Sequence, residues 1–294
     1  MKKRGRTAFI ITFLSPAVLL YGVFVVYPLI QALLLSFYRW KGVSKNRTFV
    51  GLDNYKELAQ DQTFHKALSN NLWLMVVGGA FIVVLSLLLA HGMQSNHKGV
   101  RVLRGLYLFP QVISLVVVAI IWQFIYNPEY GLGTGLTKAI GLSGYGQPLG
   151  TSSQALTAVG IAFVWYALGF YVMLFSAGLK QIPEEVTEAA SLDGSTGFHR
   201  FKTITWPMLW SVKRISAIYI VINVLNIFAL VYIMTKGGPD RATETMLTYL
   251  YEQAFTNSKY GYGTTIAAAN FVIAMILAAI LMFVFRKNPE GERA

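Results

Sequence analysis

No cysteine occurs in the 294 residues, which removes disulfides and thiolate metal sites together. The four histidines are scattered and make no ligand cluster. Charge is also scarce, at 13% of residues, against roughly a quarter in soluble domains. No G-x-x-x-x-G-K-[ST] run is present, so the chain has no phosphate-cradling loop for ATP. The fragment "GSTGF" imitates one but lacks the lysine. No H-E-x-x-H and no nucleophile–base pair at short spacing appear, and the chain is not read as an enzyme. With no short-period repeat and no low-complexity linker, residues 1–294 are expected to form a single transmembrane domain.

What is abundant is apolar: 55% of residues are hydrophobic. The charges all fall outside six stretches, Ala8–Tyr38, Ala67–Ala90, Gly105–Pro128, the second half of Ala139–Leu179, Ile215–Thr235 and Tyr260–Phe285. Each offers the ~20 residues that an α-helix needs to cross ~30 Å of hydrocarbon. The fourth opens on "IGLSGYGQPLGTSSQ", rich in Gly, Ser and Pro, which reads as loop. The expected fold is an all-α, polytopic membrane protein with six spans, at about 8–38, 67–91, 105–127, 155–179, 213–235 and 261–285. Pro16, Pro28 and Pro110 are expected to kink or cap their spans. Trp40, Trp73 and Trp122 suit interface anchoring or packing.

The net charge of +12 suggests nucleic acid until its placement is followed. Most Lys and Arg lie in "KKRGR", "HKGVRVLR", the segment Lys180–Arg214 and the tail. Two of the three opposite loops hold only Lys138, Lys236, Arg241 and Lys259. This positive-inside bias places both termini in the cytoplasm and leaves no nucleic-acid face. "KKRGR" before an apolar run also fits the start of a signal peptide, but the run is about twice an h-region and no cleavage site closes it. Outside, "FVGLDNYKELAQDQTFHKALSNN" reads as helical with its own Asn and Asp caps. In "TETMLTYLYEQAF", Met246, Leu247, Leu250, Tyr251 and Ala254 share a face at helical spacing.

No Asp, Glu, Lys or Arg lies within the six uncharged stretches that form the body of the spans. Proton-coupled carriers need titratable groups at depth, so energy is expected to arrive from outside the chain. The path suits an uncharged polar solute better than an ion.

One polar strip interrupts the pattern: "EEVTEAASLDGSTGFHRFKTITWPML", residues 184–209 of the cytoplasmic loop 180–212. Pro183 and acidic Glu184 and Glu185 suit a helix start. Gly194 after Asp193 suits a left-handed stop. A second short helix follows with Phe198, Phe201 and Ile204 on one side. A helix–Gly–helix element with small Ala189 and Ala190 is shaped to enter a groove, although such a segment also serves as a plain connection.

The pattern E-A-A-x3-G-x9-I-x-[LW]-P, formed by Glu188, Ala189, Ala190, Gly194, Ile204 and Pro207, resembles the EAA loop of ABC-importer permeases. Trp206 stands where that family usually has Leu. "YIMTKGGPDRATETMLTYLYEQAF" followed by "YGYGTTIAAA" is similar to sugar-type permeases of the maltose and glycerol-phosphate class, as are "FVGLDNY" and "GLKQIPEEVTEAASLDG". The resemblance runs from about Leu14 to Phe285. It implies a half-channel in a bacterial cytoplasmic membrane. Such a subunit pairs with a second homologous permease, sits on an ATPase dimer that binds ATP and Mg, and receives a carbohydrate from an extracytoplasmic solute-binding protein. This chain itself would carry no cofactor. The strip would be the coupling helix, with Glu188 for a polar contact or cap, Ala189 and Ala190 for close approach, and Asp193, Gly194 and Pro207 shaping the turn and exit.

Polar residues at bilayer depth are the candidates for the solute path. Asn223 and Asn226, three apart, share a face of the fifth span. Tyr219 and Tyr232 lie on the same span, Tyr171 on the fourth, Gln123 on the third and Asn270 on the sixth. Amides bond sugar hydroxyls, but they also tie helices together in membranes. The alternative to the importer is a six-helix carrier or channel that works alone.

Overall fold

The computed structural model describes residues 3–43, 46–93, 98–133, 135 and 147–286. Residues 140–146 of the Gly- and Ser-rich loop, Lys138 and the tail beyond residue 286 lie outside them. The described residues group into two compact units, Met1–Asp61 with Leu250–Phe271, and Gln62–Tyr249 with Val272–Ala294.

The helices follow the apolar pattern. They are α1 (Lys3–Tyr21), α2 (Tyr27–Leu35), α3 (Asp53–Gln60), α4 (Gln62–Trp73), α5 (Gly79–Gly92), α6 (Lys98–Val112) and α7 (Leu115–Ile125). After these come α8 (Ser152–Lys180), α9 (Glu184–Leu192), α10 (Gly197–Arg200), α11 (Trp206–Met208), α12 (Trp210–Leu225), α13 (Ala229–Met234), α14 (Met246–Tyr251) and α15 (Tyr260–Val284). Among the described residues, four continuous stretches are long and apolar enough to cross a membrane: Phe9–Leu35, Gln62–Gly92, Ser152–Lys180 and Tyr260–Val284. Two bent helix pairs pass the same test of length and composition when each is taken together, Gly105–Val112 with Leu115–Ile125 at 114°, and Gly197–Met208 with Trp210–Leu225 at 70°.

The first bend lies within the third span, which Pro110 is expected to kink or cap, and the second falls at the end of loop 180–212, ahead of the fifth span. At the first, Ser114 takes an extended ψ of 136°, and its carbonyl accepts from Val118 N at 3.0 Å, so a new helix starts there. Pro110 lies inside α6 and Pro16 inside α1. Pro28 follows the π-helical turn Gly22–Val26 within the continuous stretch Phe9–Leu35. The fifth stretch also breaks after Leu225, and a short helix resumes at Ala229.

In the first unit, Tyr38–Arg39 (β1) and Thr48–Phe49 (β2) form a small antiparallel pair beside the helices. Asn54, which the sequence suggested as a cap, is buried and donates instead to Ser36 O and Tyr38 O at 2.8 and 3.0 Å. The actual cap position of α3 is Leu52, without a side-chain bond. Thr265 Oγ1 donates to the same Ser36 carbonyl at 3.1 Å.

The second unit is built around α8. Its buried face carries Ala155, Ala158, Gly160, Ala162, Ala167, Gly169 and Gly178 among larger Phe163, Val172 and Phe175. Within a bilayer, lipid tails are as apolar as side chains, so association rests on close packing of small residues. At Gly169 an added Cβ would collide with the Tyr107 carbonyl of α6. Gln111 Nε2 donates to Tyr166 O at 2.6 Å along the same contact. In α14 the buried side chains are Met246, Thr248 and Tyr249, while Leu247, Leu250 and Tyr251 are half-buried. The expected apolar face is therefore rotated, and the π-helical turn Glu252–Thr256 brings Gln253 and Ala254 inward.

Candidate functional site

The 184–209 strip forms two helical pieces around a turn. Pro183, at φ −60° and ψ 138°, precedes α9 and sets Glu184 and Glu185 in its first turn. Carboxylates there interact favourably with the helix dipole. At the other end Gly194 has φ +75°. Ser195 N donates to Ala190 O at 2.8 Å and Gly194 N to Ser191 O at 3.1 Å. These paired bonds are a Schellman cap, with Asp193 in the capping position. Nothing lies within 4 Å of where a Cβ at Gly194 would be. The glycine is needed for its backbone angle, not for space.

Glu188, Ala189 and Asp193 are exposed on α9, while Ala190 is buried. Leu192 and Phe198 stand out at 89% and 77% exposure. The sequence reading put Phe198, Phe201 and Ile204 on one side. The structure leaves Phe201 and Ile204 half-buried and turns Phe198 outward. The cause is the π-helical turn Phe201–Thr205, which adds a residue per turn and shifts the register. Pro207 occupies the first turn of α11 and is half-buried. Trp206 gains from its departure toward a larger ring: Lys213 Nζ lies 4.3 Å from the ring centroid and donates to the Trp206 carbonyl at 2.6 Å. Below the strip, a groove of ≈ 690 Å³ is lined by Leu88, His91, Lys180, Phe198, Arg200 and others.

The solute-path candidates separate into two groups. Tyr171 of α8 is buried, its hydroxyl without a hydrogen-bond partner among the described residues, with Asn223 and Tyr219 nearby. The Phe170 ring stands 5.3 Å from Tyr219 and 5.2 Å from Tyr171. Asn223 is exposed and its Nδ2 donates to Tyr219 O at 2.8 Å within α12. Tyr171, Tyr219 and Asn223 thus share one neighbourhood. Asn226 is not mid-helix: it closes α12, exposed, with Nδ2 donating to Ile222 O at 2.8 Å. Gln123 Nε2 donates to Ile233 O at 2.6 Å, tying α7 to α13. Asn270 is buried.

Sequence reasoning missed a polar network that ties α4 to the segment leading into α14. Buried Asn70 donates to Ala242 O and Glu244 O at 3.0 and 2.8 Å. Buried Glu244 accepts from Arg241 at 3.0 Å and from Thr248 Oγ1 at 2.6 Å. The doublet "NN" at the mouth of an apolar run was the available signal, since amides at such a depth need partners. Among the described residues, no group of three or more His, Asp or Glu is arranged to hold a metal ion.

Residues 82–288 match the family described as binding-protein-dependent transport system inner membrane component. The chain is 35% identical over 281 residues to YurN, a probable ABC transporter permease protein of Bacillus subtilis, covering 95% of this chain and 96% of that one. It is 33% identical over 303 residues to NgcF, a diacetylchitobiose uptake system permease protein of Streptomyces coelicolor, covering 98% and 85%. A chain from the crystal structure of a bacterial ABC transporter that imports the acidic polysaccharide alginate superposes with a TM-score of 0.82, covering 97% of both chains. At 20% identity that likeness is one of fold. The helical, multi-pass architecture, the EAA strip and these matches agree: the chain belongs to the inner membrane components of binding-protein-dependent transport systems.

Proposed function

We propose that the chain is a permease subunit of an ATP-driven importer for a carbohydrate, whether a sugar, oligosaccharide, polyol or glycerol-phosphate. The uptake of diacetylchitobiose in the name of one relative supports a carbohydrate. The observation that carries the coupling role is the Schellman turn at Gly194, which holds α9 out with Glu188, Ala189 and Leu192 exposed. Exposed apolar side chains on a rigid projection suit a protein cleft.

On this reading the strip faces the cytoplasm with both chain termini and docks into an ATPase dimer that holds ATP and Mg. A second homologous permease completes the channel, and an extracytoplasmic solute-binding protein delivers the solute. ATPase closure moves α9. Displacement passes through buried Ala190 and the cation–aromatic contact of Lys213 with Trp206 into α12, on which Tyr219 and Asn223 lie. The hydroxyls of a sugar would meet Asn223 and Tyr171, and its apolar face the rings of Tyr219 and Phe170. Glu188, Ala189, Ala190, Asp193, Gly194 and Pro207 form the docking element, while Asn223, Asn226, Tyr171 and Tyr219 line the path.

The test is mild-detergent purification of the tagged chain from its host. Recovery with a second six-span permease and an ATPase bearing a G-x-x-x-x-G-K-[ST] loop supports the reading. A chain that purifies alone and moves solute in vesicles without ATP overturns it.

A further inference from the structure

In the first unit, two segments leave apolar helices side by side. Tyr38–Lys41 follows the end of α2 at Leu35, and Asn257–Lys259 precedes the start of α15 at Tyr260. Gly261 N donates to Trp40 O at 3.1 Å. A Cβ at Gly261 would strike the Tyr38 carbonyl, and one at Gly42 the Tyr260 ring. The two segments are therefore held together by glycine contacts. As the first residues beyond two spans, they stand at the depth of lipid headgroups, where Trp and basic residues gather.

Between them lies a cleft of ≈ 520 Å³, lined by Arg39, Trp40, Lys41, Glu57, Asn257, Lys259 and others. Its inner polar groups are already satisfied. Asn54 is committed to Ser36 O and Tyr38 O, and Tyr262 Oη donates to Asp61 Oδ2 at 2.5 Å. Arg39, Lys41 and Lys259 are exposed, and none makes an ion pair among the described residues. Three cations thus face one carboxylate. Apolar rings flank them: Phe255, 56% exposed, packs on Tyr260, which packs on Trp40. Phe49, 66% exposed, stands edge-on to Tyr38. Unpaired cations beside exposed rings, at headgroup depth, match a molecule with an anionic head and an apolar body.

We propose that this cleft binds the phosphate of an anionic phospholipid, held by Arg39, Lys41 and Lys259, with the acyl chains against the exposed face of Phe9–Leu35. That stretch is unburied along its whole apolar window, leaving room for a lipid tail. An acidic protein surface would use the cations but not this adjoining lipid-facing helix.

The experiment is native mass spectrometry of the full chain, titrated in non-ionic detergent with phosphatidylglycerol. Each basic residue near an anionic lipid surface strengthens binding roughly five-fold. Lys41→Gln and Lys259→Gln are each expected to weaken retention about five-fold, and the double variant about 25-fold. Lys56→Gln, whose Nζ already lies 3.0 Å from Asp53 Oδ1, is expected to leave it unchanged. Arg39→Gln serves as a third rim variant if either lysine variant unfolds early. Equal lipid retention by all rim variants would overturn the proposal. So would displacement of the lipid by millimolar inorganic phosphate, which marks a simple anion site. Loss of binding-protein capture with lipid retention intact would reassign the cleft to a protein contact and equally defeat it.

Discussion

Asn71 joins two parts of the chain that meet at a broken helix. Its Nδ2 donates to the Val224 carbonyl at 2.7 Å, and its Oδ1 accepts from Met246 N at 2.9 Å. Val224 lies in the last turn of α12, where carbonyls lose their helical partners, and Met246 opens α14. Thr245 Oγ1 does similar work at the Ile227 carbonyl, 3.3 Å away. A break in a membrane helix persists only where side chains satisfy the freed groups.

Replacing Asn71 by Ala strands the buried Met246 N–H. The expected loss is about 1–2 kcal/mol, between the usual cost of an unsatisfied buried group and the smaller values typical within membranes. Thermal unfolding in detergent reads this directly. Asn223→Ala, which removes only an exposed bond within its own helix, is expected to unfold near wild type. Equal losses for both would show that Asn71 does not hold the break.

Two helical glycines, Gly169 of α8 and Gly78 of the π-helical turn Leu74–Gly78, are expected to differ according to what faces them. A Cβ at Gly169 meets the Tyr107 backbone carbonyl, which cannot yield without moving α6. Gly169→Ala should destabilise by about 1–3 kcal/mol, as overpacking does. Gly78 lies in a helical turn with ordinary contacts at 3.8 and 3.9 Å. There Gly→Ala should be neutral or stabilising by up to ~1 kcal/mol through helix propensity. Melting temperatures that fail to fall in this order would contradict the packing described.

Gly194 offers a test of the turn by conformation alone. Its φ of +75° lies where β-branched residues are strained, by roughly 1–2 kcal/mol. Gly194→Val should leave the spans assembled and abolish uptake, because the strip can no longer close its cap. Gly194→Asn should retain much of the transport, since Asn tolerates the left-handed region. Unchanged uptake by the Val variant would sink the docking reading.

For the solute path, Asn223→Ala should raise the KM of uptake about ten-fold, the worth of one good polar contact. Tyr219→Ala should act in the same direction. Copurification with the ATPase and its basal hydrolysis are expected to stay as in wild type. An uptake defect accompanied by loss of assembly would assign these residues to packing instead.

Much of the architecture is written in one dimension. Uncharged runs of about 20 residues mark spans because hydrocarbon excludes charge along their whole length. The turn at Gly194 is equally local: a glycine after a short polar helix can close a Schellman cap with bonds spanning only a few residues. The EAA pattern and the family membership followed from those same residues.

Other features depended on partners distant in sequence. The expected face shared by Asn223 and Asn226 assumed an unbroken helix, whereas α12 stops at Leu225. That stop rests on Asn71 and Thr245, which reach the break only once the chain has folded. The outward turn of Phe198 and the burial of Ala190 likewise reflect register and neighbours, not composition. By itself the sequence determined which stretches can dwell in lipid and where one polar strip must turn, since solvation and backbone angles act on each residue locally. Only the tertiary structure decided where spans break and which amides tie helices, because a backbone group freed in a membrane can be satisfied only by a side chain that folding brings to it.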